Sequence, residues 1–434
     1  MVKRALVLSG GGTKGIYEVG AIEALKDLGL YDFDLVIGTS VGALNAMFLV
    51  QDEFEKMLDM YEHIDMSQFI EGYVPNPNDI NLPEIYKDRD EFFKTLKNWV
   101  KDKGVDIKPF EEMVHEYYNP EKFFASEMDF GCVVATKKDR KGVYVTKEMM
   151  KENGEDWLVA TSSAYPVFPV KEIDGVEYID GGYFDSLAIE YALRKGAKEI
   201  VAIDLRPNVH HPNYLDRECI TYIYPHEDLY NFLNFDKDRM HSARILGYLD
   251  TMKEYGVLAG EKYTFKPFVI DEGFNDFYRM IMILEADIKQ ATSISGRFRS
   301  EQAITDILLN ETTKKTLKIS DVFYILLDNV MKLMDLPTDE IYEYKEVEKK
   351  VFEEFSECSY EGYYNPQGII DATSYSPTTD KKTVVKRLVH ANLFPEKEIF
   401  SNKLILTVIP FEETLAKFVV YLMKEYVEEE SCKK

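Results

Sequence analysis

Basic residues are the scarcer charge in this 434-residue chain: 52 Lys plus Arg stand against 77 Asp plus Glu, a formal net charge of −25. Neutralising phosphates takes clustered Lys and Arg, so the shortage counts against a nucleic-acid binder. The acidity is not gathered in a tail. Residues 261–434 hold 31 acidic and 23 basic residues, net −8, which leaves −17 for residues 1–260. An acidic body of this kind is not drawn by charge to anionic lipid. Cysteine is also scarce: Cys132, Cys219, Cys358 and Cys432 lie far apart and form no C-x-x-C pair. They are too few for a disulfide framework, and reduced thiols in a cytoplasmic chain are the expectation. Long apolar runs are missing. The least polar stretch, Leu35 to Val50, contains Gly38, Thr39, Ser40 and Asn45 and falls short of the ~20 residues of a membrane span. After Met1-Val2-Lys3-Arg4 only four apolar residues precede Ser9, so no signal peptide is expected.

What is present is ordinary globular composition, 45% apolar and 30% charged, which argues against a mainly disordered chain. A single core stops growing near ~250–300 residues, so the length predicts one large domain and a second unit, divided here as 1–260 and 261–434. Ala5 to Leu8 is a continuous apolar run, as in a buried parallel strand. It ends in Ser9-Gly10-Gly11-Gly12-Thr13-Lys14-Gly15, and a helical pattern follows as far as Gly29. Leu35-Val36-Ile37 then runs into Gly38-Thr39-Ser40-Val41-Gly42 and another apolar helix. Strand, glycine turn and helix, twice within 50 residues, imply a parallel sheet flanked by helices. Residues 53–126 read as polar and mostly helical. Strands are expected at Phe130–Ala135, Gly142–Val145, Glu177–Ile179 and Ile200–Leu205, with a hairpin turn at Asp174-Gly175. Beyond Glu261 the pattern is mainly helical, and Pro207 to Pro212 and Ser359 to Asp380 read as linkers.

Gly38-Thr39-Ser40-Val41-Gly42 is a G-x-S-x-G between a strand and a helix, the context of a nucleophile elbow. Flanking glycines let the backbone turn sharply and leave the Ser40 hydroxyl exposed at a helix N-terminus, where developing negative charge is favoured. The plainer use of Ser40 is to cap the helix. Gly10, Gly12 and Gly15 also satisfy the dinucleotide fingerprint G-x-G-x-x-G. That fingerprint requires an acidic residue at the end of the second strand. Asp32 and Asp34 precede that strand instead, and the Walker spacing fails as well. Besides a simple tight turn, the loop can aim backbone N–H groups at an anion such as the oxyanion that Ser40 would generate. None of the seven histidines sits at a clear strand end beside a glycine turn. His210 and His211 come nearest, in a proline-flanked loop. Asp180 closes a strand before Gly181-Gly182 and can project at the sheet edge where open α/β sheets bind ligands; by itself it also fits an ordinary turn aspartate. Asp204, at another strand end, reads as structural. Lys14 reads equally as a tether of the glycine loop, a contact for a lipid phosphate, or a solvated lysine. No His, Cys or carboxylate cluster has metal-ligand spacing.

In this order and spacing, the glycine loop, the G-x-S-x-G and the Asp180-Gly181-Gly182 turn resemble the patatin-like phospholipase family of bacterial type. Ala160-Thr161-Ser162-Ser163-Ala164, Gly182-Tyr183-Phe184-Asp185, Asn234-Phe235-Asp236 and Gly247-Tyr248 add to the likeness, which covers about residues 3–255. Ser186 and Ala188 stand where members often have Asn and Pro. The resemblance implies a three-layer α/β domain with a mainly parallel sheet, followed here by a mostly helical C-terminal unit. It also implies a serine acyl hydrolase of lipid or phospholipid esters, with Ser40 as nucleophile, Asp180 as base, and Gly11 and Gly12 in the oxyanion loop. Gly10, Gly15, Gly38, Gly42, Gly181 and Gly182 support these motifs. No cofactor, metal or nucleic acid is implied. The partner expected is a lipid, met by a cytoplasmic protein or one peripheral on a membrane. An acyltransferase or a non-catalytic lipid-binding protein on the same fold is the alternative, and a dinucleotide enzyme the least favoured. Amphipathic stretches such as Phe323 to Leu333 and Leu415 to Tyr426 lead to the expectation that residues 261–434 bury one face against the hydrolase domain without supplying a catalytic group.

Overall fold

The structure, a computed structural model, describes residues 2–68, 107–295, 304–314, 316–356, 380–394 and 409–432. The expected helices between residues 69 and 106, and the expected linker from Ser359 to Thr379, lie outside these residues. The chain divides into two units, Met1–Tyr255 and Gly256–Lys434.

Alternating side chains build the first unit. Strand β1 (Arg4–Leu8) pairs in parallel with β2 (Leu35–Thr39) and with β7 (Glu199–Ile203). Leu6, Leu8, Val36, Val201 and Ile203 belong to one buried cluster, while Ala5, Val7, Leu35, Ile37, Ile200 and Ala202 belong to another. A period of two on a sheet buried on both faces produces this division. The first cluster is completed by α1 (Ile16–Asp27), α2 (Val41–Val50) and α8 (Lys237–Glu254), the second by the short α7 (Ile189–Arg194). The fold is therefore three-layered, as expected. Close approach between α1 and α8 depends on two glycines. A Cβ on Gly20 would lie 1.8 Å from the Arg244 carbonyl oxygen, and one on Gly247 would lie 2.0 Å from that of Tyr17.

The sheet continues through β3 (Asp129–Thr136), β4 (Gly142–Thr146), β5 (Lys171–Ile173), β6 (Val176–Asp180) and β8 (Ile220–Ile223). Its order is β5-β6-β3-β2-β1-β7-β8, with β4 also paired to β3. Pairing is parallel from β3 across to β8 and antiparallel at the β4, β5 and β6 side. Asp174 (φ 50°) and Gly175 (φ 76°) form the tight β5–β6 turn. Helices α3 (Phe54–His63), α4 (Lys108–Tyr117), α5 (Pro120–Ala125) and α6 (Met150–Thr161) add buried residues to the first cluster. Strand β8 was not anticipated, and Pro207 to Pro212 lies inside the first unit rather than between units.

The second unit is mainly helical. It holds α9 (Gly273–Ser295), α10 (Ile304–Asn310), α11 (Ile319–Leu333), α12 (Tyr344–Ser356), α13 (Lys381–Leu393) and α14 (Pro410–Cys432). A short parallel pair joins β9 (Thr264–Phe265) to β10 (Ile341–Tyr342). Its core is aromatic, with Phe323 edge-on to both Phe274 and Phe418. No described helix is long and apolar enough to cross a membrane.

Candidate active site

Ser40 caps α2 with φ 55° and ψ −126°, a backbone conformation that non-glycine residues rarely adopt and that clusters at functional turns. The serine itself takes the strained dihedrals. Gly38 and Gly42 have a different task, which is close packing. A Cβ on Gly38 would stand 2.2 Å from the Gly42 carbonyl, and one on Gly42 would stand 2.7 Å from the Ser9 carbonyl oxygen. The turn is held from below: the Ser40 N–H donates to Thr161 Oγ1 (3.0 Å), whose hydroxyl donates to the Val133 carbonyl (2.6 Å).

Asp180 ends β6 and is 8% exposed. Its N–H donates to the Ser163 carbonyl (2.9 Å), and its Oδ1 accepts the Gly182 N–H (2.7 Å). Burial pushes its pKa up to about 6, while hydrogen bonding from the Ser40 hydroxyl and from the Gly182 N–H acts in the opposite sense. The structure thus brings Ser40 and Asp180 together, and a carboxyl so shifted can exchange a proton near neutrality.

The glycine loop follows β1. The Gly10 N–H donates to the Ser186 carbonyl (3.0 Å), the Thr13 N–H to the Phe232 carbonyl (2.8 Å) and the Lys14 N–H to the Gly11 carbonyl (3.4 Å). The N–H groups of Gly11 and Gly12 find no acceptor among the described residues. Gly10 abuts the serine, since a Cβ there would lie 3.3 Å from Ser40 Cβ. Gly12 has φ 59°, and a Cβ on it would lie 2.0 Å from the Phe232 carbonyl oxygen. Ser186 contacts the loop through its backbone carbonyl, so its departure from the family's usual Asn leaves that tie intact.

A cavity of about 220 Å³ opens onto these groups. Gly10, Gly11, Gly12, Ser40, Asp180 and Gly182 line its polar end; Leu44, Met60, Ile64, Phe110, Met113 and Phe168 line its apolar part, with Phe232, Leu233 and Phe235. None of the histidines lines it. Asp204 is fully buried, and its carboxylate accepts from the Leu205 N–H, the His210 N–H and Nδ1, and the Tyr222 hydroxyl (2.7–2.8 Å). That closed set matches its structural reading. His211 Nε2 lies 3.4 Å from Asp185 Oδ1. Burial lowers the pKa of Lys14, with Asp228 opposing, and Lys14 is absent from the cavity wall.

Sequence reasoning missed several supports. Thr161 lies in a stretch already singled out, but nothing in its spacing shows that it holds Ser40. The 230–235 strap meets the glycine loop from more than 200 residues away: the Tyr230 hydroxyl donates to the Thr13 carbonyl (2.9 Å), and Phe232 accepts from the Thr13 side chain (3.2 Å). Lys237 Nζ donates to the carbonyls of Glu62 (2.8 Å) and Ile64 (2.6 Å), fixing the end of α3 beside the cavity.

A strained serine at a strand-to-helix turn, at the C-terminal edge of a mainly parallel sheet and facing a buried carboxylate, gives this α/β protein a turn with the geometry of a nucleophile elbow. Residues 6–193 match the family model described as patatin-like phospholipase. Among relatives, it is 26% identical over 213 residues to the uncharacterized protein YjjU of Escherichia coli strain K12, covering 47% of this chain and 52% of that protein. It is 27% identical over 233 residues to a cUMP-AMP-activated phospholipase of Escherichia coli, covering 46% and 63%. Lysophospholipase NTE1 of Debaryomyces hansenii is 26% identical over 205 residues, 46% of this chain but 12% of that protein. The match thus spans less than two thirds of the length of each of these relatives. The crystal structure of VipD from Legionella pneumophila aligns over 98% of this chain and 90% of that one, at 14% identity and a TM-score of 0.37, too weak a likeness to carry an argument.

Proposed function

We propose that the protein is a serine acyl hydrolase acting on carboxylic esters of lipids or phospholipids through a Ser40–Asp180 dyad. Asp180 takes the hydroxyl proton as Ser40 Oγ attacks the ester carbonyl. The N–H groups of Gly11 and Gly12 hold the resulting oxyanion, and the N-terminus of α2 favours the same charge. Collapse expels the alcohol, which receives the proton from Asp180, and leaves an acyl-Ser40 ester. Water then attacks that ester while Asp180 takes its proton. The second collapse returns Ser40 its proton and releases the fatty acid. The apolar wall of the cavity holds the acyl chain. The protein is proposed to be cytoplasmic, meeting lipid from the water side of a membrane surface. Residues 256–434 supply no catalytic group in this scheme.

The observation that carries the reading is the convergence on one apolar cavity of a strained serine, a buried carboxylate and two N–H groups that find no acceptor among the described residues. Incubating the protein with a mixed phospholipid extract tests it. Free fatty acid and the matching lysolipid should appear with the wild type and not with Ser40→Ala. Intact lipid in both would overturn the reading, and an acyl group moved to an added alcohol would mark an acyltransferase.

A further inference from the structure

Glu18 is a buried titratable group that the proposed chemistry leaves unused. It sits in the first turn of α1, is fully buried, and has no salt-bridge partner among the described residues. Its Oε1 accepts the Ser9 N–H (2.7 Å) and its Oε2 accepts Asn45 Nδ2 (2.8 Å). Ser9 is the residue before the glycine loop. Asn45 lies in the second turn of α2, the helix that Ser40 caps. The same Nδ2 donates to the Gly15 carbonyl (3.1 Å), and Oδ1 accepts the Tyr61 hydroxyl (3.0 Å) from the cavity wall. Burial holds the Glu18 carboxyl well above the ordinary range, and its two donors oppose that shift.

A buried carboxylate without a cation is unfavourable, and an apolar side chain of similar size would avoid the cost. Here both oxygens face donors, so the position requires two acceptors. A glutamine satisfies only one of them in either orientation of its amide, because its NH2 then confronts either the Ser9 N–H or the Asn45 NH2.

We infer that Glu18 is a positioning residue that ties the start of the glycine loop to the helix carrying Ser40, and thereby sets where the Gly11 and Gly12 N–H groups stand relative to the Ser40 hydroxyl. Gly15 permits the same closeness on the other side of the loop: a Cβ there would lie 2.5 Å from the Tyr61 hydroxyl and 2.6 Å from Val41 Cγ2. The kinetic consequence rests on the acyl-hydrolase reading of the site; the tie itself does not.

Crystal structures and acylation kinetics of Glu18→Gln, Asn45→Asp and the double variant test this. In the double variant the glutamine NH2 donates to the new carboxylate and its carbonyl still accepts from Ser9, while the Gly15 carbonyl loses the donor it has in the wild type. Each single variant should show Ser9–Gly12 displaced from Ser40. Each should also react with a fluorophosphonate about 100-fold more slowly with KM for a short-chain ester unchanged, and the double variant should recover part of both relative to Asn45→Asp. A loop that stays in place in Glu18→Gln, with wild-type acylation, overturns the inference, as does a double variant no better than Asn45→Asp, with which it shares the lost Gly15 bond. Should Glu18→Gln fail to fold, Asn45→Asp decides, since its carboxylate confronts Glu18 directly: a displaced loop and slower acylation are expected, and an unchanged loop and rate overturn the tie. A wild type inert toward every ester would sink the hydrolase reading, while the loop position in the variants would still test the tie.

Discussion

Ser40 and Asp180 meet because two strands run toward each other along β3 and stop one register apart. Strand β2 runs parallel to β3 and ends with Thr39 opposite Val133. Strand β6 runs antiparallel to β3 and ends with Asp180 opposite Val134. The separation of serine and carboxylate is thus set by backbone pairing, a stiffer ruler than any side-chain contact. The chemistry that follows is a proposal; the meeting of the two side chains is geometry.

Ser40→Ala should abolish ester hydrolysis and leave the unfolding midpoint close to that of the wild type. Ser40→Gly should be equally inactive yet more stable, because glycine tolerates the positive φ that serine strains to adopt. The strain relieved, less glycine's greater chain entropy, leaves a gain of roughly 1 kcal/mol. Denaturant melts of the two variants check this; a less stable Ser40→Gly would show that the turn is not strained.

Asp180→Asn should cost hydrolysis about as heavily, since an amide cannot accept the proton. With the Asp180 pKa pushed up to about 6, kcat/KM of the wild type should fall as pH drops through that value. The stability consequence has the opposite sign. A carboxyl whose folded pKa is raised costs nothing below its unfolded value and its full penalty above the folded one. The stability advantage of Asp180→Asn over wild type should therefore grow from pH 4 to pH 7, by up to roughly 3 kcal/mol. Melts at several pH values decide, and a pH-independent difference would contradict the shift.

The glycine triple and most of the sheet were legible because buried parallel strands print as apolar runs and their turns as glycine clusters. Ala5 to Leu8, Leu35 to Ile37 and Ile200 to Leu205 all fall on or within a residue or two of real strands. The short β8, between polar residues and a tyrosine-rich loop, carried no such run. The role of Gly38 and Gly42 was only half legible: a sequence displays permissive residues, but it does not tell a turn requirement from a packing requirement. Contacts such as Glu18 with Asn45, or Thr13 with Phe232, join residues whose separation has no period, so nothing local announces them.

Gly12→Ala should lose roughly 2 kcal/mol or more of stability, since it combines an unfavourable positive φ with a clash against backbone. Gly11→Ala meets no backbone, only the Leu205 side chain, with Cδ1 2.6 Å and Cβ 3.3 Å away, and should fold. Comparing their melts separates a loop fixed by backbone contact from one that tolerates any small residue; equal stability of the two would contradict the clash.

Alanine at any one of the seven histidines should leave substantial ester turnover. His211 is the sharpest case, because its hydrogen bond to Asp185 raises its pKa. That contribution to stability is complete below the unfolded pKa and disappears as pH rises past the folded one. His211→Ala should therefore lower the melting midpoint more at pH 5.5 than at pH 8 while turnover persists. A silent His→Ala variant that folds would restore a triad and remove the dyad.

The central claim, that Ser40 is the nucleophile, is tested most directly by mapping a fluorophosphonate adduct on the intact protein by peptide mass spectrometry. One adduct on the peptide containing Ser40 is predicted, absent from Ser40→Ala and formed far more slowly in Asp180→Asn. An adduct on a different residue, or ester hydrolysis that persists in Ser40→Ala, would contradict it.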